Sequence, residues 1–266
     1  MRRVQPANRT SLTFEAYGLT MSLDFLDAEM CLKAGAALPA GARLIRDEPG
    51  YERLAVNARG QLSTETPVRE FSFGVTLGPV ERLASELRQH IALHSPDLFV
   101  HAGVVAVDGA ALILPGRSYS GKTTLVAALL RQGAEYLSDE YAVIDERGFI
   151  LPFPKALSIR NVTGVARDVD PAALGARILP GPTSVRLIVA TRFEADAPWA
   201  PQPVSHGEAM LHLLQNTVAV RSQSAMAMRR VRLVCERADA LAGARGEAEP
   251  AARDLLARMR APSPGQ

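Results

Sequence analysis

The segment Gly116-Arg117-Ser118-Tyr119-Ser120-Gly121-Lys122-Thr123 fits G-x-x-x-x-G-K-[ST], the pattern of a loop that cradles phosphate. Each fixed residue type has a task. The glycines let the backbone curl, so that successive N–H groups and the positive end of a following helix face the anion. The lysine reaches the β/γ oxygens, and the threonine hydroxyl coordinates Mg²⁺. Residues Gly116 to Thr124 are therefore the candidate nucleotide-binding set, with Lys122 also placed in catalysis and Thr123 on the metal. Four fixed positions would coincide by accident on the order of once in a hundred chains of this length. The alternative is a glycine-rich strand-to-helix turn that binds nothing.

Seventeen residues after Lys122 comes the acid pair Asp139-Glu140, in "YLSDEY". Two carboxylates facing a triphosphate can divide the work, one holding metal while the other takes the proton of an attacking hydroxyl within about 3 Å. Neighbouring strand residues point to opposite faces, so the pair shares one site only where the strand ends or bulges. The alternative is a solvated charged pair on a hairpin. An LSGGQ-type signature and an N-K-x-D motif are both absent, which argues against an ABC-type ATPase and a small GTPase.

The elements that must position these groups can be read from periodicity and turn chemistry. "FVHAGVVAV-DG-AALILPG" gives two strands around an Asp108-Gly109 turn, the strongest short hairpin signal, so the strand entering the phosphate loop has an antiparallel neighbour. "KTTLVAALLRQG" reads as a helix closed by Gly133, and "EYLSDEYAVIDERGFILPFP" as a second hairpin turning at Asp145 to Gly148. Residues 161 to 182 read as loop. They are followed by a strand "SVRLIVATRF", a helix "HGEAMLHLLQN", a strand "RRVRLVCE", a C-terminal helix rich in Ala, Arg and Glu, and a disordered tail "APSPGQ". Upstream, "LTFEAYGLTMSL" and "VREFSFGVTL" alternate as strands, and Pro79 to Asp97 has helical spacing. His90 and His94 share a face of that helix, but no HExxH-type glutamate accompanies them, so packing outweighs zinc binding.

This division predicts a small N-terminal α/β module over 1–75, a nucleotide-binding α/β domain over 76–240, and a C-terminal helix and tail over 241–266. Composition adds exclusions. With 47% hydrophobic and 22% charged residues and a formal charge of +2, nothing in the electrostatics proposes nucleic acid or an anionic membrane. Only Lys33, Lys122 and Lys155 are lysines, so Lys122 is not drawn from a large pool. Cys31 and Cys235 form neither a disulfide framework nor a metal spacing, and the start "MRRVQPANRTSLTFEAYG" lacks an apolar h-region, so a cytoplasmic location is expected.

A "HAG" strand and hairpin into "LILPGRSYSGKTTL", followed closely by "GAEYLSDEYAVID", resembles the HPr kinase/phosphorylase family. The match is closer still to its shorter HPr-kinase-related branch, which includes lasso-peptide precursor kinases. The likeness covers roughly 98–160 well, the remainder to about 240 weakly, and the first 75 residues hardly at all. It implies a fold related to phosphoenolpyruvate carboxykinase, with a mixed sheet, and a serine kinase that uses ATP and Mg²⁺ on a protein or ribosomal peptide. On that resemblance Asp139 is the general base, His101 lines the active site, and Glu140 replaces a second aspartate as metal ligand. Lys155 or Arg160 would offer a cation to the transferring phosphoryl group. The segment tied to phosphorolysis in HPr kinase proper is replaced by "PFPKALSIRNVTG", so kinase activity alone is expected. Full-size relatives form hexamers, which leaves homo-oligomerisation open. A kinase acting on a small molecule, or a silent ATP-binding regulator, would carry the same residues.

Overall fold

The computed structural model describes residues 10–46, 52–63, 77–116, 120–160 and 166–262. The chain divides into two units, Met1–Pro96 and Asp97–Gln266. This boundary falls later than the 75/76 division read from sequence. The reason is the helix over 79–94, which packs on small elements of the first unit.

In the first unit, strands β1 (Thr10–Ala16) and β2 (Leu19–Phe25) form a hairpin through Tyr17-Gly18, both with positive φ. Helix α1 (Ala28–Lys33), then β3 (Arg43–Leu44), β4 (Glu52–Val56), β5 (Leu62–Ser63) and α2 (Pro79–His94) complete it. The sheet order is β3-β1-β2-β4-β5 with β2 and β4 parallel, an α/β module as the sequence suggests. The strand expected in "VREFSFGVTL" lies outside the described residues except for its last position. His90 is buried and its Nε2 contacts Glu52 Oε2 at 3.2 Å, while His94 Nδ1 donates to the His90 carbonyl at 2.8 Å; both rings serve packing.

The second unit runs β6 (Leu98–Val107), β7 (Ala110–Pro115), α3 (Lys122–Arg131), β8 (Glu135–Ser138), β9 (Tyr141–Ile144), β10 (Ile150–Leu151), β11 (Leu157–Arg160) and β12 (Ala166–Val169). It continues with β13 (Ser184–Phe193), β14 (Gln202–Pro203), α4 (His206–Leu214), α5 (Ser224–Cys235), β15 (Asp239–Arg245) and α6 (Ala248–Arg260). The main sheet has the order β10-β9-β6-β7-β13-β15-β14, with β8 also on β6. It is mixed: β6 is antiparallel to β7, whereas β13 is parallel to both β7 and β15. Asp108 and Gly109 take φ of 50° and 75°, the left-handed pair that a type I′ hairpin turn needs. The second hairpin is also present, β9 to β10, with Asp145 Oδ1 accepting from the N–H groups of Arg147 and Phe149.

Two sequence expectations are corrected. "RRVRLVCE" is not a strand but the C-terminal half of α5, whose buried residues Ala227, Arg230, Val231, Val234 and Cys235 recur at helical spacing. The strand of this region is β15, in "DALAGAR", which inserts beside β13 within the second unit and runs into the 241–266 segment, whose helix is α6. The 161–182 region contains β12 and a 3₁₀ turn over Pro171–Leu174.

The sheet is covered on both faces, which is why β6 and β7 are apolar almost throughout instead of alternating. Helices α3 and α6 cover one face and α4 and α5 the other. Leu125 through Leu130 of α3 are all buried, so the helix carrying the phosphate-loop lysine is fixed on every side. Leu129→Ala is expected to lower unfolding free energy by about 2–5 kcal/mol, seen as a reduced urea midpoint at unchanged slope. Among the described residues no helix is long and apolar enough to cross a membrane.

Candidate active site

The candidate phosphate loop leaves the sheet at Pro115 and returns as α3 at Lys122. Gly121, with φ 82°, is the helix N-cap and brings no side chain to cap the first turn, the arrangement in which an anion takes the cap's place. The entry is tight as well, since a Cβ on Gly116 would lie 2.7 Å from Ser120 Oγ, which is buried without a hydrogen-bond partner. Arg117, Ser118 and Tyr119 lie outside the described residues. Thr124 is exposed on the first turn of α3.

Gly103 lets α3 press onto β6, for a Cβ there would come within 2.5 Å of Val126 Cγ2. That close approach brings the start of α3 to the acid pair. Strands β8 and β9 both pair with β6, and Asp139-Glu140 occupy the break between them. Ser138 Oγ holds the break by accepting from the N–H groups of Glu140 at 3.1 Å and Tyr141 at 3.0 Å. The strand does end where the two carboxylates would need it to. Thr123 Oγ1 donates to Asp139 Oδ2 at 2.9 Å, leaving the hydroxyl lone pairs for another partner. Asp139 is only 8% exposed, and its Oδ1 is buried with no hydrogen-bond partner. Burial pushes its pKa up to about 6 despite the opposing Thr123 hydrogen bond and the Lys155 and Lys122 cations.

Lys155 Nζ pairs with Glu140 Oε2 at 3.1 Å, and the buried Tyr136 hydroxyl anchors the Lys155 carbonyl at 2.9 Å. Burial lowers the Lys122 pKa, countered by Asp139 and Glu140. His101 is exposed, its ring centroid 4.9 Å from that of Tyr141. Its pKa is lowered, chiefly by partial loss of hydration, with Glu140 opposing and Lys122 reinforcing. His101, Lys122, Thr123, Asp139, Glu140 and Lys155 thus form one electrostatically coupled group. Arg160 ends β11.

Two groups here escaped the sequence reading. Arg245, at the end of β15, is 1% exposed; its Nη2 donates to the Gly121 carbonyl at 2.6 Å and its Nη1 to that of Gly246 at 3.0 Å. Phe193, its register partner at the end of β13, is 54% exposed. No local signal marks either residue, because both reach the loop through strand pairing. A cavity of about 350 Å³ also opens beside Gly116, lined by Thr191, His212, Gln215 and Asn216 among others. A cavity of about 360 Å³ lies at the opposite edge of the sheet, around Arg186, Asp239 and Arg258, away from these groups.

The donor set fits a nucleotide-bound Mg²⁺. Among the described residues no group of three or more His, Cys, Asp or Glu side chains could hold a metal. Mg²⁺ in such sites keeps several waters and takes one or two carboxylates plus the phosphates, so a threonine hydroxyl and one carboxylate of this pair are a sufficient protein share. The unpartnered Asp139 Oδ1 calls for a donor or cation.

No family model matches the chain, and no curated protein matches it. Among solved structures, the HPr(Ser) kinase/phosphatase from Coxiella burnetii matches at 18% identity and a TM-score of 0.33, covering 60% of this chain and 93% of that one.

Proposed function

We propose that the protein is an ATP- and Mg²⁺-dependent kinase that transfers the γ-phosphoryl group to a serine hydroxyl of a protein or ribosomal peptide. The observation that carries this reading is the 2.9 Å bond from the phosphate-loop Thr123 to a buried carboxylate, Asp139, whose second oxygen has no partner. Asp139 takes the proton of the serine hydroxyl as its oxygen bonds to the γ-phosphorus, and the bond to the β-bridging oxygen breaks to release ADP. Lys122 and the loop amides stabilise charge on the phosphate oxygens. Thr123 and Glu140 are the residues that would hold Mg²⁺, which when bound neutralises charge between the β- and γ-phosphates. Lys155 holds Glu140 in place, and Arg160 is a further candidate cation. The order of hairpin, loop and acid pair resembles the HPr kinase family and supports serine as acceptor.

The protein incubated with Mg²⁺, labelled ATP and a serine-containing protein and peptide panel is expected to yield phosphoserine by mass spectrometry. Failure to bind ATP would sink the nucleotide reading, whereas transfer only to small alcohols would sink the serine reading. With a free-enzyme base of pKa about 6, kcat/KM for the acceptor is expected to rise with pH up to about 6 and then level off. A profile flat between pH 5 and 8 would remove Asp139 as base.

A further inference from the structure

We propose that Phe193 is the platform on which the base of the bound nucleotide stacks, and that this contact, in preference to hydrogen bonds at the base edge, holds the nucleoside. The inference rests on the nucleoside-triphosphate reading above.

The direction of the ligand comes first. Asp139, Glu140 and His101 all belong to β6, β8 and β9 or the break between them, on one flank of β7. Thr123 reaches to that flank. A triphosphate reacting there and lying over the first turn of α3 must send its nucleoside to the other flank, where β13 and β15 end beside β7.

Phe193 stands at that end. A Cβ on Gly121 would come within 3.3 Å of Phe193 Cβ, so the root of this side chain adjoins the residue before Lys122. On the same face of β13, Leu187 and Val189 are packed in the core against α3 and α6; the Phe193 ring continues that row beyond the core and is left 54% exposed. Arg245 Cζ lies 5.9 Å from the ring centroid, a cation–π contact that steadies the ring from one side. The outcome is a held aromatic face, open to solvent, next to a phosphate loop. Stacking accepts any base, since each has a π-face, so ATP and GTP should bind with similar affinity.

Calorimetric titration of wild type, Phe193→Ala and Phe193→Trp with Mg·ATP, Mg·GTP and inorganic tripolyphosphate tests this. Phe193→Ala is expected to weaken both nucleotides roughly 5- to 150-fold, the loss of about 1–3 kcal/mol of stacking, and to leave tripolyphosphate unchanged. Phe193→Trp should retain wild-type affinity. Unaltered ATP binding by Phe193→Ala overturns the proposal, as does an equal loss for tripolyphosphate, which would mean that the ring props the loop. A loss of ATP affinity on Asn216→Ala but not on Phe193→Ala would move the base to the cavity beside Gly116 and overturn it too. Wild-type protein that binds tripolyphosphate and ATP separates these outcomes from failure of the nucleotide reading, in which it binds neither.

Discussion

Asp139→Asn is expected to slow phosphoryl transfer by roughly 10²–10⁴-fold while nucleotide affinity stays within about twofold, because it removes the proton acceptor and leaves the loop intact. The same substitution should make the ligand-free protein more stable at pH 8. Burial pushes the Asp139 pKa to about 6 from an ordinary 3.8, so the folded state resists its ionisation. The sign follows: below about pH 3.8 the carboxyl is protonated whether folded or not and contributes nothing. Between 3.8 and 6 a penalty develops, and above 6 it is complete, at up to about 3 kcal/mol for a shift of this size. Asparagine carries no such charge. Melting curves of both proteins should therefore converge near pH 4 and diverge at pH 8 with the variant melting higher. A variant that keeps its transfer rate, or that melts lower at pH 8, contradicts the assignment of a buried, unsatisfied base.

Gly121→Ala is expected to weaken ATP on the order of a hundredfold or more. Gly121 sits at φ 82°, where an L-residue costs about 1–2 kcal/mol, and the added methyl would lie 2.5 Å from Arg245 Nη2 and 3.3 Å from Phe193 Cβ. Either the loop or the buried guanidinium must move. Gly109→Ala is the matched control: its φ of 75° imposes the same strain, but nothing lies within 4 Å of the new atom. It should lower stability modestly and leave ATP binding alone. Equal binding losses in both would show that backbone strain, not the packing of Arg245 against the loop, sets the effect.

What was legible in the sequence is what local chemistry dictates. The Asp108-Gly109 turn fixes the antiparallel neighbour of β7 because Asp-Gly readily takes the left-handed pair that a type I′ hairpin turn needs. The glycine-rich loop before an apolar helix reads the same way, and the condition for Asp139 and Glu140 to share a site, a break in the strand, is met at Ser138. Where tertiary packing decides, local pattern failed. In "RRVRLVCE" the apolar Val231, Leu233 and Cys235 alternate like a strand, yet the chain buries Val231, Val234 and Cys235 on one helical face. "DALAGAR" has the low strand propensity of alanine and glycine, and becomes β15 because it fills a parallel slot beside β13. Arg245 and Phe193 owe their place beside the loop to that pairing, so no window of sequence announces them.

Arg245 carries a charge that cannot be titrated away at any physiological pH, and it is held almost wholly out of water by two backbone carbonyls, with its Nε unpartnered. Glu247 and Glu249 offset only part of the hydration this buried cation loses, so an arriving polyanion would add to their stabilisation. Loading with nucleotide would then act as a counter-ion in the folding equilibrium, raising resistance to unfolding with the logarithm of ligand concentration.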